Sequence, residues 1–305
     1  MASLTTRLAF RSLRYTRPRS FSNYSAIRSE ALDDAKAEAA AQRAERTMKR
    51  FWKHAGLKED KGNQEGDTAH KRFTPNLDGC TVVLDHRNLR TPSKHIVKLP
   101  TNQRQLALLT AAEWDSQTQS LKTHTLPLTS IIARSMDAFD PATAEDATVR
   151  PQVIDKLMTY FDTDATCYHE DYPETLTALQ DVHWKPLIEW ASKAYDVQIN
   201  TTTTIFAVTQ PAKTRQKLKT VVEEMDALEL AAFEKAVMSS KSFLIGLALV
   251  KKAITVEQAA QAAHVEMNAQ IDRWGEVEDS HDVEREYIRQ TLGSVACAVM
   301  HKGQA

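Results

Sequence analysis

Glycine is scarce in this chain, 8 of 305 residues, and nowhere is it spaced to cradle a phosphate. Gly62-x-x-x-Gly66 lacks the Lys-Ser/Thr pair that completes such a loop, and no Gly-x-Gly-x-x-Gly occurs, so nucleotide binding has no support. Cysteine is scarcer still. Cys80, Cys167 and Cys297 are odd in number, far apart and never in a Cys-x-x-Cys arrangement, which indicates neither a disulfide framework nor a zinc site and fits a reducing compartment. Long apolar runs are missing as well. Residues 242–250 are apolar on all sides, but Glu229, Glu234, Lys235 and Lys241 nearby leave that stretch short of the ~20 apolar residues of a membrane span. It is expected to be the central buried helix, and no cofactor, metal or membrane span is expected anywhere.

Acidic residues are absent before Glu30, whereas the first 29 residues hold Arg7, Arg11, Arg14, Arg17, Arg19 and Arg28. Serines and Leu4, Leu8, Phe10 and Leu13 are interleaved among these arginines, which is the composition of a mitochondrial targeting peptide, and residues 1–21 are read as one. A basic arm for nucleic acid is the alternative, disfavoured because the arginines are spread out and lysine is absent. Removing residues 1–21 takes away five arginines and no acid, so the net charge moves from −1 to −1 − 5 = −6. An acidic mature chain argues against nucleic-acid binding and leaves room for a basic protein partner.

Residues 22–70 read as a charged helical arm over 31–54, with Phe51 and Trp52 as its only strong anchors, followed by a linker over 59–71. Residues 71–128 read as a small β-rich domain. Residues 81–84 and 96–99 are β-branched runs, and Asp85-His86-Arg87-Asn88 looks like a polar turn. One helix starts near Thr101 or Asn102 and reaches Trp114, with Leu106, Leu109 and Glu113 on one stripe. Residues 129–305 read as a helical C-terminal domain with helices over 130–139, 144–161, 173–195, 213–225, 227–251 and 255–273. The Thr255-x-x-Gln258 spacing is that of a capping box. The fold class expected is therefore α+β, a small β-rich N-terminal domain followed by a larger, mostly helical one.

Few residues suggest catalysis. His264-Val265-Glu266 has the spacing of part of a deaminase signature, but the paired cysteines that would complete its zinc site are missing. Asp162, Asp164, Cys167 and His169 have metal-ligand types without a glycine turn or a bidentate acid at calcium-loop spacing, so they read as a helix end and a tight loop. His281-Asp282 could be a base and its orienting acid, yet no motif marks a nucleophile; Ser280 or Asp282 capping the last helix explains the pair more simply.

The most distinctive run lies between Glu266 and Glu286, where eight acids face two bases, Arg273 and Arg285. A helix is expected to end at Trp274-Gly275 and another to start after Ser280-His281-Asp282. A tryptophan among fixed charges suits a binding surface better than a bare solvated corner. Several stretches taken together then resemble one family: residues 84–92 (Leu-Asp-His-Arg-Asn-Leu-Arg-Thr-Pro), Glu113-Trp114-Asp115-Ser116-Gln117, residues 162–168, Pro173-Glu174-Thr175-Leu176, Trp190, and Trp274-Gly275-x-Val277-Glu278-x-x-His281-Asp282. The resemblance is to the mitochondrial ATP synthase assembly chaperones that hold the free alpha subunit of the F1 head.

This resemblance implies a non-enzymatic matrix protein, and a monomer is expected. It would bind unassembled alpha subunit, prevent its aggregation and release it to beta subunits. Glu266, Trp274, Glu276, Glu278 and Asp282 are the partner-binding residues expected, Glu266 being the acid that matches the family pattern. Two competing readings are a matrix hydrolase using His281 with acids of this segment, and a permanent structural subunit of a matrix complex.

Overall fold

A two-residue hairpin turn starts the sheet. Asp85 takes a left-handed conformation (φ 55) and its carboxylate accepts from the backbone N–H of Lys53 and of His54, which holds its carboxyl below the usual range. The turn joins β2 (Gly79–Leu84) to β3 (Arg87–Asn88), so the polar turn is Asp85-His86 alone. β1 (Ala55–Asp60) pairs antiparallel with β2, Ala55 opposite Leu84, and β4 (Lys98–Pro100) pairs with β2 on its other side, Cys80 opposite Leu99. Gly79 permits that last pairing, because a Cβ there would lie 2.9 Å from the Leu99 carbonyl oxygen.

The computed structural model describes residues 49–60, 79–204, 206 and 208–301. Arg50–Ala305 forms one compact unit; of the other, Met1–Lys49, only Lys49 is described. The targeting peptide 1–21 and most of the arm and linker therefore lie outside the described residues. Where the arm is described it is not helical. Residues 50–54 are irregular and Ala55–Asp60 is a strand, because Trp52 is buried against Trp114 and the next six residues complete the sheet.

After a 3-10 turn over Thr101–Gln103 comes α1 (Arg104–Asp115), which packs on β1 and β2. Its buried face is Leu106, Ala107, Thr110 and Ala111; Leu108 and Leu109 are exposed. The expected Leu106–Leu109–Glu113 stripe is thus rotated by about one residue, since small side chains at 107 and 111 let the helix approach the sheet closely. Glu113 then reaches the start of α2 (Pro127–Arg134), accepting from Leu128 N at 2.7 Å and Thr129 N at 3.0 Å. Leu126 at that N-cap has no side chain able to do this. Burial raises the Glu113 carboxyl, against the pull of those same bonds.

The remaining helices are α3 (Val149–Asp162), α4 (Glu174–His183), α5 (Lys185–Tyr195), α6 (Ala212–Glu223), α7 (Ala227–Ser240), α8 (Phe243–Val250), α9 (Val256–Ala263), α10 (Val265–Trp274) and α11 (His281–Ala298). One continuous hydrophobic core runs from Trp52 in the β-rich part to Val299 after α11. At its centre all eight residues of α8 are buried, as an all-round apolar helix requires. Gly246 allows α8 to lie against α7: a Cβ would fall 2.7 Å from Val237 Cγ2.

Three expected long helices are broken. The run over 173–195 divides at Trp184 into α4 and α5, where Pro186 in the first turn of α5 has no N–H to give to a continuous helical ladder. The run over 227–251 divides at Lys241, which is left-handed (φ 56), and restarts at Ser242, whose Oγ accepts from Ile245 N at 3.1 Å. A second cap, this one a carboxylate, arrives from eighty residues away. Asp164 is fully buried and accepts from Leu244 N at 2.9 Å as well as from Thr166 N and Oγ1. The run over 255–273 divides at His264, where Trp184 Nε1 donates to the Ala262 carbonyl at 2.8 Å. In an unbroken helix that oxygen would serve Glu266 N, so the indole competes with the helical ladder. The Thr255–Gln258 capping box forms as expected. Among the described residues no helix is long and apolar enough to cross a membrane.

Candidate partner-binding site

The C-terminal corner is built by two helices that meet with little between them. Gly275, at φ 87, ends α10 and its N–H closes on Ile271 O at 2.8 Å; every residue from 272 to 280 is exposed. α11 then begins at His281. Neither Ser280 nor Asp282 caps it through a side chain. Instead Val277 N donates to His281 Nδ1 at 3.1 Å, so the imidazole pins the turn before the helix, while Asp282 and Glu284 in the first turn face its positive end. The hydrolase reading loses its base here, because His281 is occupied in shaping the turn.

Trp274 is 71% exposed, and the Arg273 guanidinium lies 5.0 Å from its ring centroid. A large aromatic left in water, with a cation over one face, is held in position but not buried. Three further apolar side chains of the same segment are each more than half exposed: Val277, which stands in a stretch that carries the family resemblance, and Val283 and Tyr287, which the sequence reading did not single out. Val283 and Tyr287 are four residues apart, on one face of α11. That spacing was a usable signal, obscured by the acids on either side.

The acids differ in what they are free to do. Glu276 pairs with Arg285 at 2.8 Å, and Glu286 with Arg289 at 3.4 Å. Arg289 also holds Glu257 at 2.9 Å, which ties α11 to the first turn of α9 and keeps the Glu257 carboxyl down at about 2. Among the described residues Glu278 and Asp282 have no side-chain partner. The structure therefore gathers Trp274, Glu276, Glu278 and Asp282 at one corner. Glu266 stands apart, eight residues before Trp274 or about 12 Å along the helix, at the mouth of a cleft beside His264. The three cysteines are free; Cys80 and Cys167 are buried, and burial pushes the Cys167 thiol up, away from reactivity. Among the described residues no cluster of three or more His, Cys, Asp or Glu could hold a metal ion.

Comparisons with known proteins give this surface its context. A family model described as "ATP12 chaperone protein" matches residues 49–192. The chain is 30% identical over 257 residues to Protein atp12, mitochondrial, of Schizosaccharomyces pombe, covering 82% of this chain and 81% of that one. It is 26% identical over 290 residues to Protein ATP12, mitochondrial, of Saccharomyces cerevisiae, covering 84% and 85%. Among solved structures, Atp12 from Paracoccus denitrificans is similar with a TM-score of 0.64 at 25% identity, covering 83% of this chain and 97% of that one. A mutant form of the same bacterial protein gives a TM-score of 0.65 at 26% identity, covering 84% and 97%. The chain belongs to the ATP12 chaperone family and is a mitochondrial chaperone of ATP synthase assembly, not an enzyme.

Proposed function

We propose that this chaperone acts in the mitochondrial matrix as a monomer on the unassembled alpha subunit of the F1 sector, keeping it from aggregating until beta subunits take its place. A subunit destined for a ring presents an apolar interface that aggregates when unpaired, and covering it by mass action needs no nucleotide. The observation that carries the reading is the segment from α10 into α11, where Trp274, Val277, Val283 and Tyr287 are all exposed within an acidic stretch. Glu266, Trp274, Glu276, Glu278 and Asp282 are the contact residues in this proposal. An apolar patch with a charged rim holds a partner firmly enough to protect it and remains displaceable.

The test is light scattering from purified alpha subunit, diluted without nucleotide, with and without an equimolar amount of the chaperone. Suppressed scattering together with a one-to-one complex is expected. Unchanged aggregation, with no complex on a sizing column, would overturn the assignment of this client. Residues 1–21 are proposed to be the import leader, so the mitochondrial form should begin near Ser22 by mass spectrometry; an intact Met1 in the matrix form would refute this.

A further inference from the structure

A cleft of about 240 Å³ opens at the elbow between α9 and α10. That is below the roughly 300–1,000 Å³ of a small-molecule pocket and suits one long side chain. Trp184, Ile245 and Met267 supply apolar wall; His264, Glu266 and Glu284 supply polar groups. His264 is only 8% exposed, lines the cleft, and its ring makes no hydrogen bond among the described residues. The ring nitrogens are open to the cleft rather than sealed in the core, and an imidazole without a partner that borders open space is placed to serve a visitor. Burial keeps the ring towards its neutral form, in opposition to the nearby Glu284 charge, so one nitrogen remains an acceptor.

The charges around the cleft are uneven in a useful way. Arg285 and Arg289, the cations of α11 closest to His264, are committed to Glu276 and Glu257. Glu266 and Glu284 have no ion pair among the described residues. Lys241, which also lines the cleft, is exposed and offsets one of these two carboxylates, which leaves the cleft with a net negative charge.

We infer that this cleft is an anchor pocket for one cationic side chain, arginine or lysine, of the bound partner. The aliphatic stem would lie along Trp184, Ile245 and Met267, and the head group would meet Glu266, Glu284 and the His264 acceptor. Glu266 then works away from the exposed corner: the corner covers apolar surface, and the cleft fixes register through one inserted residue. The inference rests on the reading that the protein binds a partner subunit.

Two measurements test it separately from that reading. In the first, the full chain with labelled histidine is titrated with Nα-acetyl-arginine amide, Nα-acetyl-lysine amide and the neutral control Nα-acetyl-norleucine amide, following the His264 ring by NMR, with His264→Gln for assignment. A saturable shift is expected for the cationic amides at millimolar concentrations, absent for norleucine amide and lost in Glu266→Gln/Glu284→Gln. The amide that saturates first names the anchor residue. No saturable shift with either cation overturns the inference. In the second, Met267→Trp plugs the cleft and is expected to weaken capture of alpha subunit about tenfold at an unchanged melting temperature; if it unfolds, Glu266→Gln/Glu284→Gln serves instead. Parent-like capture by a folded cleft variant overturns the anchor and leaves the client assignment standing. A parent chain that shows the shift but captures no alpha subunit sinks the client assignment alone.

Discussion

Trp52 donates its indole N–H to the backbone carbonyl of Trp114 at 3.2 Å, and the two rings lie 5.1 Å apart at 57°. Trp114 passes the connection on, its own Nε1 donating to Thr129 Oγ1 at 2.9 Å, and Thr129 donates in turn to Glu113. The strand-side chain segment, α1 and the start of α2 are thereby held by two indoles and one carboxylate.

Trp114→Arg is expected to be severely destabilising for this reason. It removes an aromatic packed on the core, leaves Thr129 Oγ1 without its donor, and replaces the ring packed on Trp52 with a charged group. Removing a fully buried tryptophan typically costs about 3–5 kcal/mol, and Trp114, partly buried against the core, is expected at the lower end of that range. A thermal melt beside the parent checks this; a variant melting within a degree or two would mean the Trp52–Trp114 contact contributes little.

Gly246→Ala is expected to destabilise despite alanine's better helix propensity of about 1 kcal/mol. The new Cβ would sit 2.7 Å from Val237 Cγ2 and 3.2 Å from Val237 N, so α7 and α8 must separate. A net loss of about 1–3 kcal/mol follows from such overpacking. Val237→Ala in the same chain should recover part of it, which denaturant titrations of both singles and the double can read as a coupling energy. Strict additivity would show that the clash is relieved in some other way.

The Glu257–Arg289 pair predicts a pH dependence. Hydrogen bonds from Arg289 first, then from Gln261, lower the Glu257 carboxyl from 4.5 to about 2 in the folded chain. The unfolded chain binds the proton more readily, so this contribution is present above about pH 4.5 and is lost as the pH falls towards about 2. The pair is exposed, so the effect is small and shrinks with salt. Melting curves of Glu257→Gln should lie below the parent's at pH 6 and converge with them near pH 2; a constant gap across that range would assign the difference to something other than the carboxylate.

Glu278→Lys separates binding from folding. Glu278 is exposed and has no side-chain partner among the described residues, so its reversal is expected to move stability by within about 0.5 kcal/mol. Capture of alpha subunit should nevertheless slow, since charge at a rim acts mainly on encounter. Glu276→Lys is a poorer probe, because it would also place two cations together at Arg285. Association rates for Glu278→Lys and parent at low and high salt decide the matter: equal rates at low salt would remove this residue from the interface.

Much of the fold was legible in the residues because its causes are local. β-branched runs marked β2, the Thr255-x-x-Gln258 box marked the start of α9, and an all-round apolar stretch marked α8 as buried. Trp274-Gly275 marked the end of α10 for the same reason, that a cap or a left-handed glycine acts within a few residues of itself. The acids and tryptophan of the candidate surface could be read off directly, and so could the family resemblance. Tertiary structure decided where longer helices break and which apolar residues stay out of the core. Asp164 caps α8 from eighty residues upstream, and Trp184 takes a carbonyl of α9 from the start of α5; neither distance leaves a trace in a periodic pattern. Val277 and Val283 are of a residue type most often buried, and Tyr287 of one often partly so. Val277 stays out because it lies in the exposed turn over 272–280, and Val283 and Tyr287 because α11 turns its Ile288, Thr291, Leu292 and Val295 face to the core; which face is buried is set by the helices it packs on.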